Sequence, residues 1–360
     1  MGVNILSIGT AVPSNKIEQQ EVFEFMSKAH GLSGDEKQRL KALYRVSAIK
    51  ERYSVVPDYG TLDKSLWKLY PPNDSLSPFP DTKTRNDIYK REALPLSLKA
   101  IDACLADVDK KTITHLITVS CTGLYAPGID IDLVNALGLN PSVERTCINF
   151  MGCYAAITGL KTANQICKAE PKATVLVVCV ELCTIHFQKE KDENNLIANA
   201  LFSDGAAAVL VGNKRPEKTP ALQIKDFKSA IYPDGQSEMA WDVGNNGFEM
   251  KLTTYVPDLI ESGIKDLIEQ LAIDKPNFYA IHPGGKRILD VTESALNISK
   301  EETRASHEVL THYGNMSSPT LLFVLAQMLT EFNEGDKGKR LAAMAFGPGL
   351  TIETAAFEIV

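Results

Sequence analysis

No apolar run in this chain approaches the roughly 20 residues that a membrane-spanning helix requires, so a bilayer span is not expected. The N-terminus, MGVNILSIGTAVPSNK, is too weakly apolar for a secretory signal, and the default compartment is the cytoplasm. A basic excess is also missing: 45 acidic residues against 38 basic ones leave a net charge of −7. That balance gives no general reason to expect nucleic acid or an anionic membrane as a partner, and leaves only a local basic patch for a phosphorylated ligand. Nor is there an even cysteine framework. The seven cysteines, at 104, 121, 147, 153, 167, 179 and 183, are an odd set in mid-chain, unlike a secreted disulfide scaffold, and the ordinary role of most is buried filler. Cys179, Cys183 and His186 are spaced C-x3-C-x2-H, but no second ligand pair lies close by, so no metal is expected. Asn73, Asn297 and Asn315 open Asn-x-Ser triplets, which matter only in a secreted protein.

What is present describes a globular α/β chain. With 360 residues and 44% apolar content it can build two packed units or one duplicated one. Short β-branched runs predict strands at 113–120, 173–180 and 206–211, with a buried helix over 154–169 whose apolar positions cover most of its circumference. The second half repeats the grammar: a strand at 278–282, a mostly apolar helix at 318–332, and strands at 341–346 and 351–359. Central helix, strand, strand thus occurs twice. We expect a duplicated, layered architecture divided into 1–218 and 219–360, with the boundary in the charged, proline-containing segment NKRPEKTP. The segment 59–90, rich in Pro, Asp and Ser, reads as a surface excursion.

Duplication gives one cysteine a counterpart. Cys153, in MGCYAA, stands just before the helix of the first half; Asn315, in YGNMSSPT, stands just before that of the second; His282, in IHPGGKR, ends the strand between them. If the halves pack about a pseudo-twofold axis, the three converge. A thiol attacks a thioester only as thiolate, which a helix N-terminus and a nearby imidazole both favour. Imidazole and carboxamide N–H groups can hold the oxyanion of a tetrahedral intermediate, or the enolate left when a β-carboxylated thioester loses CO2.

At these residues the chain resembles the type III polyketide synthases, the chalcone-synthase-like enzymes of the thiolase fold. The resemblance runs from GTAVPS at Gly9 through CTGLYAPG, the Gly152–Cys153 pair, ALFSDGAAA, IHPGGKRILD and YGNMSSPT to FGPGLTIET at Phe346. It implies a thiolase-like α-β-α-β-α architecture and a homodimer that needs no metal or redox cofactor and extends CoA-linked starters with malonyl-CoA. It makes Cys153 the nucleophile, with His282 and Asn315 assisting decarboxylation and condensation, and Phe202 the gatekeeper between CoA tunnel and cavity. It places Met250 where a second gatekeeper phenylalanine is usual, Trp241 where chalcone formers have a cavity glycine, and Ala126 where a larger residue crosses the dimer interface. Cys121, Thr122, His186 and Ser317 fall at other cavity positions. The CoA phosphates are expected near Arg39, Lys286 and Arg287, drawn from a basic group that includes Lys41, Arg45, Lys50 and Arg52.

The bulky Trp241 leaves less room for a rigid aromatic starter, so a flexible alkyl starter closing to an alkylpyrone or alkylresorcinol is expected. A small starter, or malonyl-CoA alone, is the runner-up. An initiating ketoacyl-ACP synthase shares the Cys, His and Asn, but resembles HxxxN where this chain has HPGGK. A noncatalytic scaffold of the same fold is the alternative of another class.

Overall fold

The computed structural model describes residues 2–106, 108–214, 220–236, 238–253, 256–273 and 275–360. The expected boundary at 218/219 lies outside the described residues. The strands Asn4–Ala11, His115–Ser120, Glu144–Asn149, Thr174–Leu182 and Asp204–Gly212 order themselves as Glu144–Asn149, His115–Ser120, Thr174–Leu182, Asp204–Gly212, Asn4–Ala11. The sheet continues through Leu222–Ile231, Thr351–Ile359, Arg340–Gly347 and Phe278–Ile281. The inner four strands of the first set and the four of the second mirror each other: each has one parallel pair followed by antiparallel ones. The sets join through one short ladder, Asn4 and Ile5 against Gln223 and Leu222.

The alternation of side chains along each strand builds the layers. In Thr174–Leu182, Val175, Val177 and Cys179 face a core shared with the central helices Ala155–Ala169 and Pro319–Glu331, whereas Leu176, Val178 and Val180 face an outer core that holds Thr82–Cys104. In Arg340–Gly347, Ala343 and Ala345 turn to the same shared core, and Ala342 and Met344 to an outer core that contains Ile264 of Val256–Glu269 and Leu289 of Lys286–Leu296. Three helical layers and the two joined strand sets give the expected α-β-α-β-α order. Both central helices were legible because a helix buried between two sheets is apolar nearly all round.

The segment 59–90 is mostly half-buried or exposed, as expected, but part of it reaches the core. Asp58 is fully buried and its carboxylate accepts the backbone N–H groups of Lys68, Leu69 and Tyr70 at 2.7, 3.0 and 2.9 Å, which folds the segment back on itself. The rings of Tyr59, Tyr70 and Phe187 then pack around Phe25. From Thr82 the chain is helical and buries Arg85, Ile88 and Tyr89. Prolines and aspartates punctuated the loop; the aromatic residues between them carried the burial.

Candidate active site

Cys153 sits in a 3-10 turn, Gly152–Tyr154, that leads into the helix Ala155–Ala169. Gly152 is required there: its φ is +74°, and a Cβ would lie 2.4 Å from Pro348 Cδ. Asn315 follows Gly314, whose φ of +68° ends the helix Arg304–Tyr313 and turns the chain inward. Its backbone N–H donates to Leu201 O at 3.0 Å and its carbonyl accepts from Ser203 N at 2.9 Å, which pins it beside Phe202. His282 extends the strand Phe278–Ile281 by one bond, N–H to Met344 O at 2.8 Å.

These three residues, far apart in sequence, line one cavity of about 240 Å³. Cys153 Sγ lies 3.9 Å from Asn315 Oδ1, and Asn315 Nδ2 donates to Gly284 O at 3.2 Å. All three are buried, and among the described residues neither ring nitrogen of His282 has a hydrogen-bond partner. A buried polar group left unpaired costs about 1–3 kcal/mol, and both ring nitrogens of His282 are in that position. Burial pushes the Cys153 thiol up to about 12, with the Glu181 carboxylate adding to the rise and Ser317 and Asn315 opposing it. Burial pushes His282 down to about 3. Burial therefore disfavours the charged form of each group, the thiolate of Cys153 and the imidazolium of His282.

Of the expected cavity residues, Cys121, Thr122, Phe202, Trp241, Met250, Ser317, Lys286 and Arg287 line this space. Cys121 Sγ is 3.5 Å from Ser317 Oγ, and the Trp241 indole donates to Cys121 O at 2.6 Å. Three do not line it. Ala126 is exposed in the single chain. His186 is buried behind the wall, its Nε2 paired with Thr122 O at 2.7 Å and its Nδ1 accepting from Phe248 N at 3.0 Å, an assignment that follows from the partners; both nitrogens are thereby withdrawn from the C-x3-C-x2-H spacing. Arg39 is exposed on the helix Gly34–Val46, on the stripe that brings Leu43 and Val46 to the cavity but a turn farther out. Within the wider basic group, Arg52 is buried and donates to Asn199 O and Phe202 O at 2.9 and 2.6 Å, which holds the backbone of Phe202.

Sequence reasoning missed Glu181, a fully buried carboxylate that accepts from Cys121 N, Thr122 Oγ1 and Ser318 Oγ at 2.9, 2.7 and 2.7 Å. It ties the end of one strand and the start of the second central helix to the cavity floor, and burial raises its pKa. A lone Glu closing the apolar run ATVLVVCVE was the available signal. Cys183 was also missed as a lining residue, as were Met239, Leu252 and Ile288, whose side chains make the cavity predominantly apolar.

The chain matches the chalcone and stilbene synthases, N-terminal domain, over residues 2–215 and their C-terminal domain over residues 223–360. It is 32% identical over 371 residues to "Probable polyketide synthase 1" of Dictyostelium discoideum, covering 97% of this chain and 11% of that one, so it spans only about a tenth of that relative's length. It is 30% identical over 368 residues to an "alpha-pyrone synthesis polyketide synthase-like" protein of Mycobacterium tuberculosis, covering 99% of this chain and 91% of the relative. Among solved structures, the C-terminal type III polyketide synthase domain of Steely1, a type I/III hybrid from Dictyostelium, superposes with a TM-score of 0.89 at 29% identity, covering 100% of both chains.

Proposed function

The chain belongs to the chalcone and stilbene synthase family, the type III polyketide synthases, which are condensing acyltransferases; from that premise we propose that it loads a fatty acyl starter from CoA onto Cys153, extends it with malonyl-CoA and releases an alkylpyrone or alkylresorcinol. The observation that carries this reading is one predominantly apolar cavity with Cys153, His282 and Asn315 on its wall. In the proposed cycle His282 takes the thiol proton as the thiolate attacks the starter thioester and expels CoA. Malonyl-CoA then loses CO2, and the enolate oxygen is held by the N–H groups of His282 and Asn315. The enolate carbon attacks the acyl group on Cys153 and breaks its C–S bond, returning the thiolate for the next transfer. An enol oxygen attacking the thioester carbonyl closes the pyrone, breaking the C–S bond and expelling the thiolate.

An initiating ketoacyl-ACP synthase gives way to the family match, and a noncatalytic scaffold would have no use for an unpaired buried imidazole beside a thiol. The alkyl starter is supported by the wall: Trp241 occupies the cavity side and is anchored by its bond to Cys121 O. The pyrone is supported by the similarity to the alpha-pyrone synthesis polyketide synthase-like protein of Mycobacterium tuberculosis. We also read the protein as a cytoplasmic homodimer, working without metal or redox cofactor. The sheet ends in Glu144–Asn149, where five of six residues are exposed, an edge that a second copy would cover. No helix among the described residues is long and apolar enough to cross a membrane.

A panel of acetyl-, hexanoyl-, dodecanoyl- and coumaroyl-CoA with malonyl-CoA tests the starter. Dodecanoyl-CoA is expected to lead in the wild type, and Trp241→Gly to favour coumaroyl-CoA most. Coumaroyl-CoA leading in the wild type would sink the alkyl reading, and a flat response to chain length would favour a small starter or malonyl-CoA alone. For the carrier, Lys286→Glu at the cavity mouth should raise KM for malonyl-CoA roughly tenfold at low salt, and the more distant Arg39→Glu roughly twofold, both effects shrinking as salt screens the phosphates. Unchanged KM values would remove both residues from the CoA path.

A further inference from the structure

Outside the catalytic cavity, three side chains of the metal-ligand type meet at the edge of the sheet. His115 opens the strand His115–Ser120 and stands in register beside Glu144, which opens the edge strand Glu144–Asn149. Glu170 caps the C-terminal end of the helix Ala155–Ala169. His115 Nε2 lies 3.6 Å from Glu144 Oε2 and 3.9 Å from Glu170 Oε1, and one ligand atom from each of the three falls within 4.8 Å of the others. The imidazole side chain is only 7% exposed, whereas the two glutamates are 72% and 57% exposed and have room to adjust.

The hydrogen bonds behind the ring set its tautomer, an assignment that follows from the partners. Thr114 Oγ1 accepts from Thr174 N at 2.9 Å and donates its one proton to Thr174 O at 3.2 Å, so toward His115 Nδ1, 2.8 Å away, it accepts. Nδ1 therefore carries a proton, and in the neutral ring Nε2 turns a lone pair toward two carboxylates that are themselves acceptors. Three acceptors facing one another need a cation among them. A proton on Nε2 would draw a carboxylate in to the roughly 2.7–2.9 Å of a charge-assisted hydrogen bond, and neither contact is that short. Ligands held about 2.0–2.1 Å from a tetrahedral zinc ion stand roughly 3.4 Å apart, a spacing that a small shift of the exposed glutamates provides.

We propose that His115 Nε2, Glu144 and Glu170 hold a divalent cation of the zinc class, with water completing its coordination, and that the ion staples the strand before the Cys153 turn to the helix after it. One imidazole nitrogen with carboxylate oxygens suits Zn2+ or Co2+ better than Mg2+ or Ca2+, which take oxygen ligands. The contact of Nδ1–H with Thr114 orients the ring as a metal-ligating histidine requires. The strand Glu144–Asn149 and the helix Ala155–Ala169 are joined by the short segment that carries Cys153, so a tie between Glu144 and Glu170 closes this strand–helix unit at its open end. About 17 Å of strand separates Glu144 from Asn149, which leads to the nucleophile. The ion is structural and takes no part in condensation.

The test is titration of the EDTA-treated full chain, in its native assembly, with Co2+ followed by visible absorption and with Zn2+ followed by thermal unfolding. It compares the wild type with His115→Gln, Glu170→Gln and, as a control, His312→Gln, which changes a half-exposed histidine of the second half. The wild type is expected to show a d–d band that saturates at one Co2+ per chain, and Zn2+ to raise Tm by about 3 °C or more. Glu170→Gln should weaken binding at least roughly tenfold and His115→Gln at least roughly a hundredfold, with the gain in Tm lost in step, while His312→Gln leaves both as in the wild type. Should His115→Gln not fold, Glu170→Gln, whose side chain is more than half exposed, decides alone. The site is overturned by a wild type without the band, by equal binding in the wild type and Glu170→Gln, or by loss of binding in His312→Gln. A thiolate-to-cobalt charge-transfer band in place of the d–d band, which would put the metal on a cysteine, overturns it as well.

Discussion

Cys153→Ala is expected to lose polyketide formation by at least about a thousandfold, because the acyl chain then has no covalent attachment and the condensation loses the effective molarity that the tether supplies. Cys153→Gln should lose condensation equally but retain decarboxylation of malonyl-CoA, since decarboxylation calls on His282 and Asn315 to hold an enolate and not on the thiol. The carboxamide occupies the space of the acylated sulfur beside Asn315, whose Oδ1 lies 3.9 Å from Cys153 Sγ. Release of CO2 from labelled malonyl-CoA, measured beside product mass, separates the two steps. Condensation surviving in Cys153→Ala would place the nucleophile elsewhere; Cys121 and Cys183 line the same cavity, and burial pushes both thiols well up, which makes them poor substitutes.

His282→Gln should change how the thiol titrates. In the wild type, inactivation by iodoacetamide is expected to follow one inflection and then a plateau, reporting the Cys153–His282 pair and not either residue alone. Burial already pushes the Cys153 thiol up to about 12, and the variant lacks the imidazole that would take its proton. A raised thiol pKa means the reactive thiolate is scarce below it and grows tenfold per pH unit, so the variant's rate should climb without a plateau through pH 10 and be at least roughly a hundredfold slower at pH 7. A variant whose profile overlays the wild type would show that the imidazole does not share the thiol's proton.

The paired design of the fold was readable because it is written twice. Helices 154–169 and 318–332 and the strands that follow them stand in the structure within one or two residues of their expected ends. Elements buried between two layers are apolar on all sides, and that signal is local. The terminal strand Glu144–Asn149 was invisible for the opposite reason: its residues Glu144, Arg145, Thr146 and Cys147 are exposed at a sheet edge and carry no hydrophobic period. The segment 59–90 misled in a third way, since its Pro, Asp and Ser content hides the aromatic residues Tyr59 and Tyr70 that pack around Phe25.

By itself the sequence determined the layered α/β fold, the family, and which of its Cys, His and Asn residues would meet in one cavity, because each rests on a residue type and its place beside an element whose pattern is local. Only the tertiary structure decided which side chains face the cavity. His186 sits behind the wall, Arg52 holds the Phe202 backbone, Arg39 stands beyond the mouth, and Glu181 and Cys183 come forward. Cys183, Phe202, Trp241 and Met250 come from separate segments, and each lines two cavities. Orientation toward a cavity is set by packing between distant segments, through contacts such as the Trp241 indole on Cys121 O, and a linear pattern carries no record of which distant backbone a side chain will meet.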